Sequence, residues 1–348
     1  MQTVFVGISG GVDSAVAALL LKQQGYTVVG VTMQLFSDRL PRTTGAREID
    51  DARRVCEALG IEHIVADMSE AFCRLVVDEF TAEYRRGRTP NPCILCNRDL
   101  KFGTMWQFAR ERGADAIATG HYVTRSFDEA SGRWQLWQDP SRKDQSYMLW
   151  SLSQEQLAAV LFPLAGMEKA TVRAIAKEAN LPVADKGDSM EICFVEDDDH
   201  AAFIERYTGI TDRKGHFVDA DGNPLGEHQG ITHYTVGQRK GLGIALGRPM
   251  YVTALDPVNN TVTLGAEGAQ MTDLLTADGI NFVSIAAPPA PLRVQAKIRY
   301  QAHPAPATLT VTDGVATVLF DTPQRAVTPG QSVVFYQDGL LLGGGFIR

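Results

Sequence analysis

Two groups of residues have the types and spacing to do chemistry. The first is an unbroken run, Gly7, Ile8, Ser9, Gly10, Gly11, Val12, Asp13 and Ser14. It follows an apolar, β-branched stretch (residues 2–5) and leads into A-V-A-A-L-L-L-K-Q-Q, which is rich in strong helix formers. The pattern predicts strand, tight glycine turn, helix. A helix start offers unpaired N–H groups and a positive dipole end, so this geometry binds phosphate. Gly10 and Gly11 let the backbone turn and approach an anion closely. Ser9 and Ser14 add hydroxyls, and Asp13 is placed to cap the helix or to help hold Mg2+. The run contains neither G-x-x-x-x-G-K-[ST] nor G-x-G-x-x-G, so it is neither a Walker loop nor a dinucleotide fingerprint.

The second group is sulfur. Five cysteines stand at 56, 73, 93, 96 and 193. An odd count with no secretory signal argues for thiols, not a disulfide framework. Cys93 and Cys96 form a C-x-x-C inside T-P-N-P-C-I-L-C-N-R-D-L-K-F-G. Two prolines and an asparagine predict an ordered loop there and no regular helix. Cys193 is the third candidate. A structural zinc site needs four ligands, and no second pair is evident in the sequence. A thioredoxin-type pair opens a helix without such prolines. The remaining chemistry is persulfide transfer or an iron–sulfur cluster. Cys56 and Cys73 fall on apolar helix faces and read as structural.

The elements that must position these groups alternate. Strands are predicted at residues 27–34, 62–66 and 114–119, and helices at 48–59 and 70–86, which implies a doubly wound parallel sheet with helices on both faces. Ligands in such sheets sit at the carboxyl ends of the strands, where residues 9–14, Met33 and Thr119-Gly120-His121 all fall. A hairpin is expected over 122–138 and helices over 144–161 and 169–179. Beyond about residue 200 helical periodicity stops. Short β-rich runs take over, punctuated by D-G, N-N and P-G turns, and imply one or two small β domains.

Composition limits the remaining choices. The hydrophobic and charged fractions, 45% and 21%, are those of a soluble globular protein. No apolar run approaches the ~20 residues that span a bilayer. No membrane partner is expected and the cytoplasm is the expected location. The net charge of −8 does not exclude a local basic face, and Arg85, Arg86, Arg88, Arg98 and Lys101 lie close together, opposed only by Asp99. Arg239 and Lys240 sit in a glycine-flanked loop that suits RNA or a lid. The seven histidines show no ligand spacing.

S-G-G-V-D-S resembles the PP-loop of the ATP pyrophosphatases, which cleave ATP between the α and β phosphates and adenylate a substrate oxygen. T-P-N-P-C-I-L-C-N-R-D-L-K-F, Thr119-Gly-His-Tyr122, Lys143-Asp-Gln-Ser-Tyr147, D-S-M-E-I-C-F-V (188–195) and G-E-H-Q-G-I (226–231) extend the match. So do Y-T-V-G-Q-R-K-G-L-G (234–243), Ile298-Arg-Tyr300, V-T-P-G-Q (327–331) and L-G-G-G (342–345). In order along the whole chain, they resemble the bacterial tRNA-specific 2-thiouridylases, which thiolate the wobble uridine of certain tRNAs.

The resemblance implies three domains: residues 1–200, PP-loop and catalytic; 201–270, small and β-rich; 271–348, a tRNA-binding β-barrel. It implies ATP and Mg2+ as cofactors, with ATP contacts from residues 7–14, Met33 and Gly120. Asn91, Pro92 and Cys93 would meet the target base. Lys143, Asp144, Gln145, Arg299 and Tyr300 would contact the tRNA anticodon stem-loop. Cys96 would be the nucleophile and Cys193 would carry a persulfide, the two closing a disulfide as product leaves. A cysteine desulfurase or sulfur relay protein is the implied donor. Many members carry Asp in place of Cys93 and Gly in place of Glu191. The third thiol suits a 4Fe–4S cluster held by Cys93, Cys96 and Cys193, the competing scheme. Two other functions fit parts of the pattern: a PP-loop ligase or amidotransferase acting on a small molecule, and a non-catalytic iron–sulfur or zinc RNA-binding protein.

Overall fold

The computed structural model describes residues 2–40, 45–187, 192–195 and 198–348. Residues 188–191, with the Glu191 departure, lie outside the described residues.

The first layer is a parallel sheet. Its strands are β1 (Thr3–Gly7), β2 (Thr27–Gln34), β3 (Glu62–Asp67) and β4 (Ala116–Ala118). Helices α1 (Val12–Gln23), α2 (Gly45–Leu59), α3 (Ser69–Phe72) and α4 (Asp78–Arg85) connect them, the last two joined by a π-helical segment, Cys73–Val77. The sheet order is β3-β2-β1-β4 and then a short β7, with every pairing parallel. Val4, Phe5 and Val6 are buried on both faces, as a strand covered by helices on two sides requires. Cys56 and Cys73 are buried at 1% exposure, filling the core as small apolar groups.

Two helical expectations need correction. The C-x-x-C does not sit on a loop. Pro92–Leu95 is helix α5, continued by a π-helical segment (Cys96–Thr104) and by α6 (Met105–Arg110). Pro92 is its first residue, where a missing N–H costs nothing, and Asn91 caps it by accepting from Cys93 N at 3.2 Å. The prolines thus mark a helix start. The expected helix at 144–161 is also broken. A 3-10 turn (Ser146–Leu149) is followed by α7 (Gln154–Ala159), started by a Ser153–Gln156 capping box, and by β7 (Val160–Leu161). Tyr147, Leu149, Trp150 and Leu152 are all buried, so this stretch is enclosed on every side and has no helical stripe.

The hairpin is present as β5 (Thr124–Asp128) and β6 (Arg133–Trp137). Helix α8 (Lys169–Glu178) packs in the same core as α1. A further helix, α9 (His200–Thr208), interrupts the expected β-only region; Asp199 caps it and Gly209 ends it with φ +67°. A four-stranded sheet follows, from β8 (Gly215–Val218), β9 (Pro224–His228), β10 (Tyr251–Asp256) and β11 (Thr261–Gly265), in the order β10-β11-β8-β9.

The final strands are β12 (Met271–Phe282), β13 (Leu292–Lys297), β14 (Ala305–Thr312), β15 (Val315–Arg325), β16 (Ser332–Gln337) and β17 (Leu340–Ile347). They pair in the order β12-β15-β14-β13-β16-β17, and a β12–β17 pairing closes six strands into a barrel. At Asp313-Gly314 and Asp338-Gly339 both residues have positive φ, the signature of tight hairpin turns. The three glycines at 343–345 let β17 pass against Asn281, Phe282 and Trp150, where side chains would collide. Hairpin β5–β6, though distant in sequence, joins the barrel sheet through β6 and β17 (Leu341↔Leu136).

Candidate active site

The glycine run forms the predicted strand–turn–helix. Gly10 adopts φ +69°, and a Cβ there would lie 2.7 Å from Glu48 O and 3.0 Å from Asp51 Cβ, so only glycine fits. Ser14 Oγ donates to Gly11 O at 3.1 Å and accepts from Ser9 N at 3.2 Å, which holds the loop curled. Gly11 caps α1 with extended backbone and no side-chain bond, so Asp13 is not the cap. Its carboxylate instead receives Tyr122 Oη at 2.6 Å and both oxygens receive Lys169 Nζ, at 2.7 and 2.8 Å. Gly120 packs directly on this turn: a Cβ would lie 2.7 Å from Asp13 C and 2.8 Å from Ser14 N. Lys186 Nζ donates to Gly10 O at 2.9 Å and to Asp51 Oδ2 at 2.7 Å. Desolvation pushes the Asp51 carboxyl up, but hydrogen bonds and charge from Lys186 and Arg54 outweigh it and leave the pKa lowered. Lys169 and Lys186 had no local signal in the sequence, and the motif containing Tyr122 gave its hydroxyl no role; all three reach the loop through tertiary contacts. Met33 is half-buried at the end of β2, opposite Ala66 of β3.

The cysteine pair lies on the helical run 92–110. Cys96 is half-buried and Cys93 is exposed to solvent. Desolvation raises both pKa values; the Lys101 ammonium pulls them down without cancelling it, and Cys93 pushes Cys96 further up. Lys101 is anchored to Asn97 Oδ1 at 2.9 Å, and Asn97 Nδ2 holds Met148 O at 3.1 Å. His121 is buried, bonded through Nδ1 to Thr119 Oγ1 at 2.8 Å, and burial with the nearby Lys101 charge drives its pKa well down, so it stays neutral. Cys193 is exposed in the short stretch between Ile192 and Val195. Among the described residues, no three histidine, cysteine or acidic side chains gather as a metal-ligand group, so the three thiols do not form a cluster site as arranged here.

The barrel reaches this region. Burial raises the Tyr300 hydroxyl, as do the charges of Asp144 and Cys93, while Lys143 lowers it, so these four groups share one neighbourhood. Lys297, 8% exposed, lies over the rings of Tyr147 and Tyr300, 5.6 and 5.5 Å from their centroids. Arg299 is exposed beside them. Asp144 and Gln145 are engaged within the fold. Asp144 accepts from Asp139 N, Ser146 N and Ser146 Oγ, and Gln145 Oε1 accepts from Tyr122 N. Of the basic run, Arg86 pairs with Glu79 and Glu83, Arg88 with Glu83, and Arg98 with Asp99. Much of its charge is therefore met inside the protein.

The chain thus joins a parallel sheet with a glycine loop at its carboxyl edge, a helix that carries the cysteine pair, and a closed six-stranded barrel. Three family models tile the chain: the tRNA methyl transferase HUP domain over residues 2–197, the tRNA methyl transferase PRC-barrel domain over 201–266 and the aminomethyltransferase beta-barrel domain over 272–347. Relatives named tRNA-specific 2-thiouridylase MnmA match end to end. That of Acetivibrio thermocellus is 50% identical over 100% of this chain and 99% of its own. That of Clostridioides difficile is 48% identical over 100% and 98%, and one from Clostridium perfringens 50% over 100% and 98%. The chain belongs to the tRNA-specific 2-thiouridylase family, a family of tRNA sulfurtransferases. Among solved structures, U34-tRNA thiolase NcsA from Methanococcus maripaludis with its 4Fe–4S cluster aligns over 60% of this chain and 64% of that chain, at 20% identity and TM-score 0.36, too loose to bear on the chemistry here.

Proposed function

We propose that this enzyme thiolates the wobble uridine of tRNA at C2 in an ATP-dependent reaction. Family membership along the full length carries this reading, and the shared neighbourhood of Cys93, Lys143 and Tyr300 supports it. A uridine C2 oxygen is a poor leaving group. The oxygen attacks the α-phosphorus of MgATP, pyrophosphate departs, and the oxygen becomes part of a good leaving group, AMP. Residues 7–14 would cradle the phosphates, with the Gly10 and Gly11 amides facing the developing charge. Met33 and Gly120 would border the nucleotide. The base must leave the anticodon stack to be reached, and Asn91, Pro92 and Cys93 would receive it. Lys143, Asp144, Gln145, Arg299 and Tyr300 would flank the stem-loop.

In the sulfur step a Cys193 persulfide attacks C2 through its terminal sulfur and AMP leaves with the oxygen. The Cys96 thiolate then attacks Cys193 Sγ. This forms a Cys96–Cys193 disulfide and leaves the sulfur on the base. A desulfurase or relay protein supplies the persulfide and a thiol reductant reopens the disulfide. Burial raises both thiols in the free protein, and the Lys101 ammonium offsets part of that rise toward the thiolates this chemistry needs. The extra thiol at Cys93 favours a second reading, in which Cys93, Cys96 and Cys193 gather as cluster ligands. The three domains would divide at about residues 200 and 270. No helix among the described residues is long and apolar enough to cross a membrane, and we place the enzyme in the cytoplasm. Nucleoside analysis of tRNA after incubation with ATP, Mg2+ and a sulfur donor tests the function. Absence of 2-thiouridine with every donor, with or without iron and sulfide reconstitution, refutes it.

A further inference from the structure

The PP-loop carries no lysine of its own, and a departing pyrophosphate gains from a protein cation beside it in addition to the Mg2+ that ATP brings. The fold brings one from 156 residues away: Lys169, whose ammonium spans both oxygens of Asp13. Lys169 is the first residue of α8, and its N-cap, Glu168, forms no side-chain cap bond. A cation at that end opposes the helix dipole and is unfavourable for the helix itself. A residue serving only the helix would be neutral or acidic. Here the charge is turned onto the first turn of α1, directly after the two loop glycines. Tyr122 fixes the same carboxylate from another side. The pair remains open to solvent, with side-chain exposures of 15% for Lys169 and 33% for Asp13. Lys186 differs: its contacts go to the Gly10 carbonyl and to Asp51, so it braces the loop from behind.

We propose that Lys169 is a further catalytic residue, the cation that meets the pyrophosphate leaving group, held in place by Asp13 and Tyr122. The inference rests on the ATP reading above. In the step it serves, the uridine C2 oxygen bonds to the α-phosphorus. The bond to the α–β bridging oxygen breaks, its electron pair leaves on pyrophosphate, and the N3 proton passes to water. Lys169 keeps its proton and supplies charge alone, doing for this loop what the in-sequence lysine does for a Walker loop.

The test is single-turnover pyrophosphate release by the full-length protein with MgATP and substrate tRNA, alongside equilibrium binding of α,β-methylene-ATP. Lys169→Met is expected to slow release by ~10²–10³-fold, the usual loss for one charge-stabilising donor, while analogue affinity falls less than tenfold. Lys169→Arg should recover most of the rate, since the cation is kept. A purely structural residue would instead weaken binding and lower the melting temperature, with no rescue by arginine. If the wild-type enzyme releases no pyrophosphate, the ATP reading itself fails. If it does and Lys169→Met stays within threefold of it, the proposal is overturned. Should Lys169→Met not fold, Tyr122→Phe carries the test: it keeps the lysine and loosens its anchor, and a release rate within threefold of wild type overturns the proposal.

Discussion

Substituting Gly120 by alanine probes the joint between β4 and the PP-loop. The new methyl would lie 2.7 Å from Asp13 C, 2.8 Å from Ser14 N and 2.9 Å from Asp13 Cβ. Two of these atoms are backbone, in the first turn of α1, and cannot rotate away. Relieving the clash means moving that turn or the 119–121 segment by several tenths of an ångström. Overpacking of this kind costs about 1–3 kcal/mol. If the strain is released by displacing the loop, ATP binding weakens by roughly 5- to 150-fold, at 1.4 kcal/mol per tenfold. If the loop holds, the same energy appears as lost stability. Isothermal titration with an ATP analogue and a urea melt, run on the same protein, capture both routes. Gly187→Ala is the control, because a Cβ there meets nothing within 4 Å; it should stay within about 0.5 kcal/mol of wild type. A Gly120→Ala protein equal to wild type in both measurements would refute the packing argument.

Cys96→Ser and Cys193→Ser should each abolish 2-thiouridine formation while ATP binding persists; full activity in either variant removes that cysteine from the sulfur step. Iron and sulfide assays after anaerobic purification separate the two sulfur schemes, since about four of each per chain would place a cluster on the thiols. Asn91→Ala removes the cap of the C-x-x-C helix, and a denaturant melt should show a loss of about 1 kcal/mol, together with faster alkylation of Cys93. Burial raises the Cys56 thiol to about 11. The native state therefore holds this proton more tightly than the unfolded chain does, and its contribution to stability is lost as pH rises through that range. Wild type should lose more stability between pH 8 and 10.5 than Cys56→Ala does, and equal losses would contradict the assignment.

Local signals were legible where they were strong. The glycine turn, β2 at its observed bounds, the hairpin and the D-G turns followed from patterns a few residues long. The helix at the C-x-x-C was missed because proline was read as a breaker, although Asn-Pro is equally a cap followed by a first helical residue. The stretch 144–161 was misread because its apolar residues are enclosed on every side, which a one-faced helix pattern does not describe. The partners of Asp13 were hidden for another reason. Lys169 and Tyr122 lie 156 and 109 positions away; nothing local marks Lys169, and the motif that contains Tyr122 does not show that its hydroxyl reaches Asp13. That Tyr300 of the barrel feels the charge of Cys93, some two hundred positions away, is likewise a product of the tertiary fold.

The sharing of one sheet by hairpin β5–β6 and the barrel has a consequence for how the protein is made. During synthesis the hairpin leaves the ribosome some two hundred residues before β17, the strand whose edge it pairs with. Until then β6 waits with an open edge. The same late segment also secures the chain leading to the cysteines: Arg88 donates to Ile347 O at 3.1 Å and Thr89 N to Pro329 O at 2.8 Å. Residues 88 and 89, just ahead of the C-x-x-C helix, therefore gain these partners only once the barrel has been translated. A chain truncated before these strands would fold its glycine loop but lack both bonds and the β17 edge, so the last residues translated tie the segment before the C-x-x-C to the barrel.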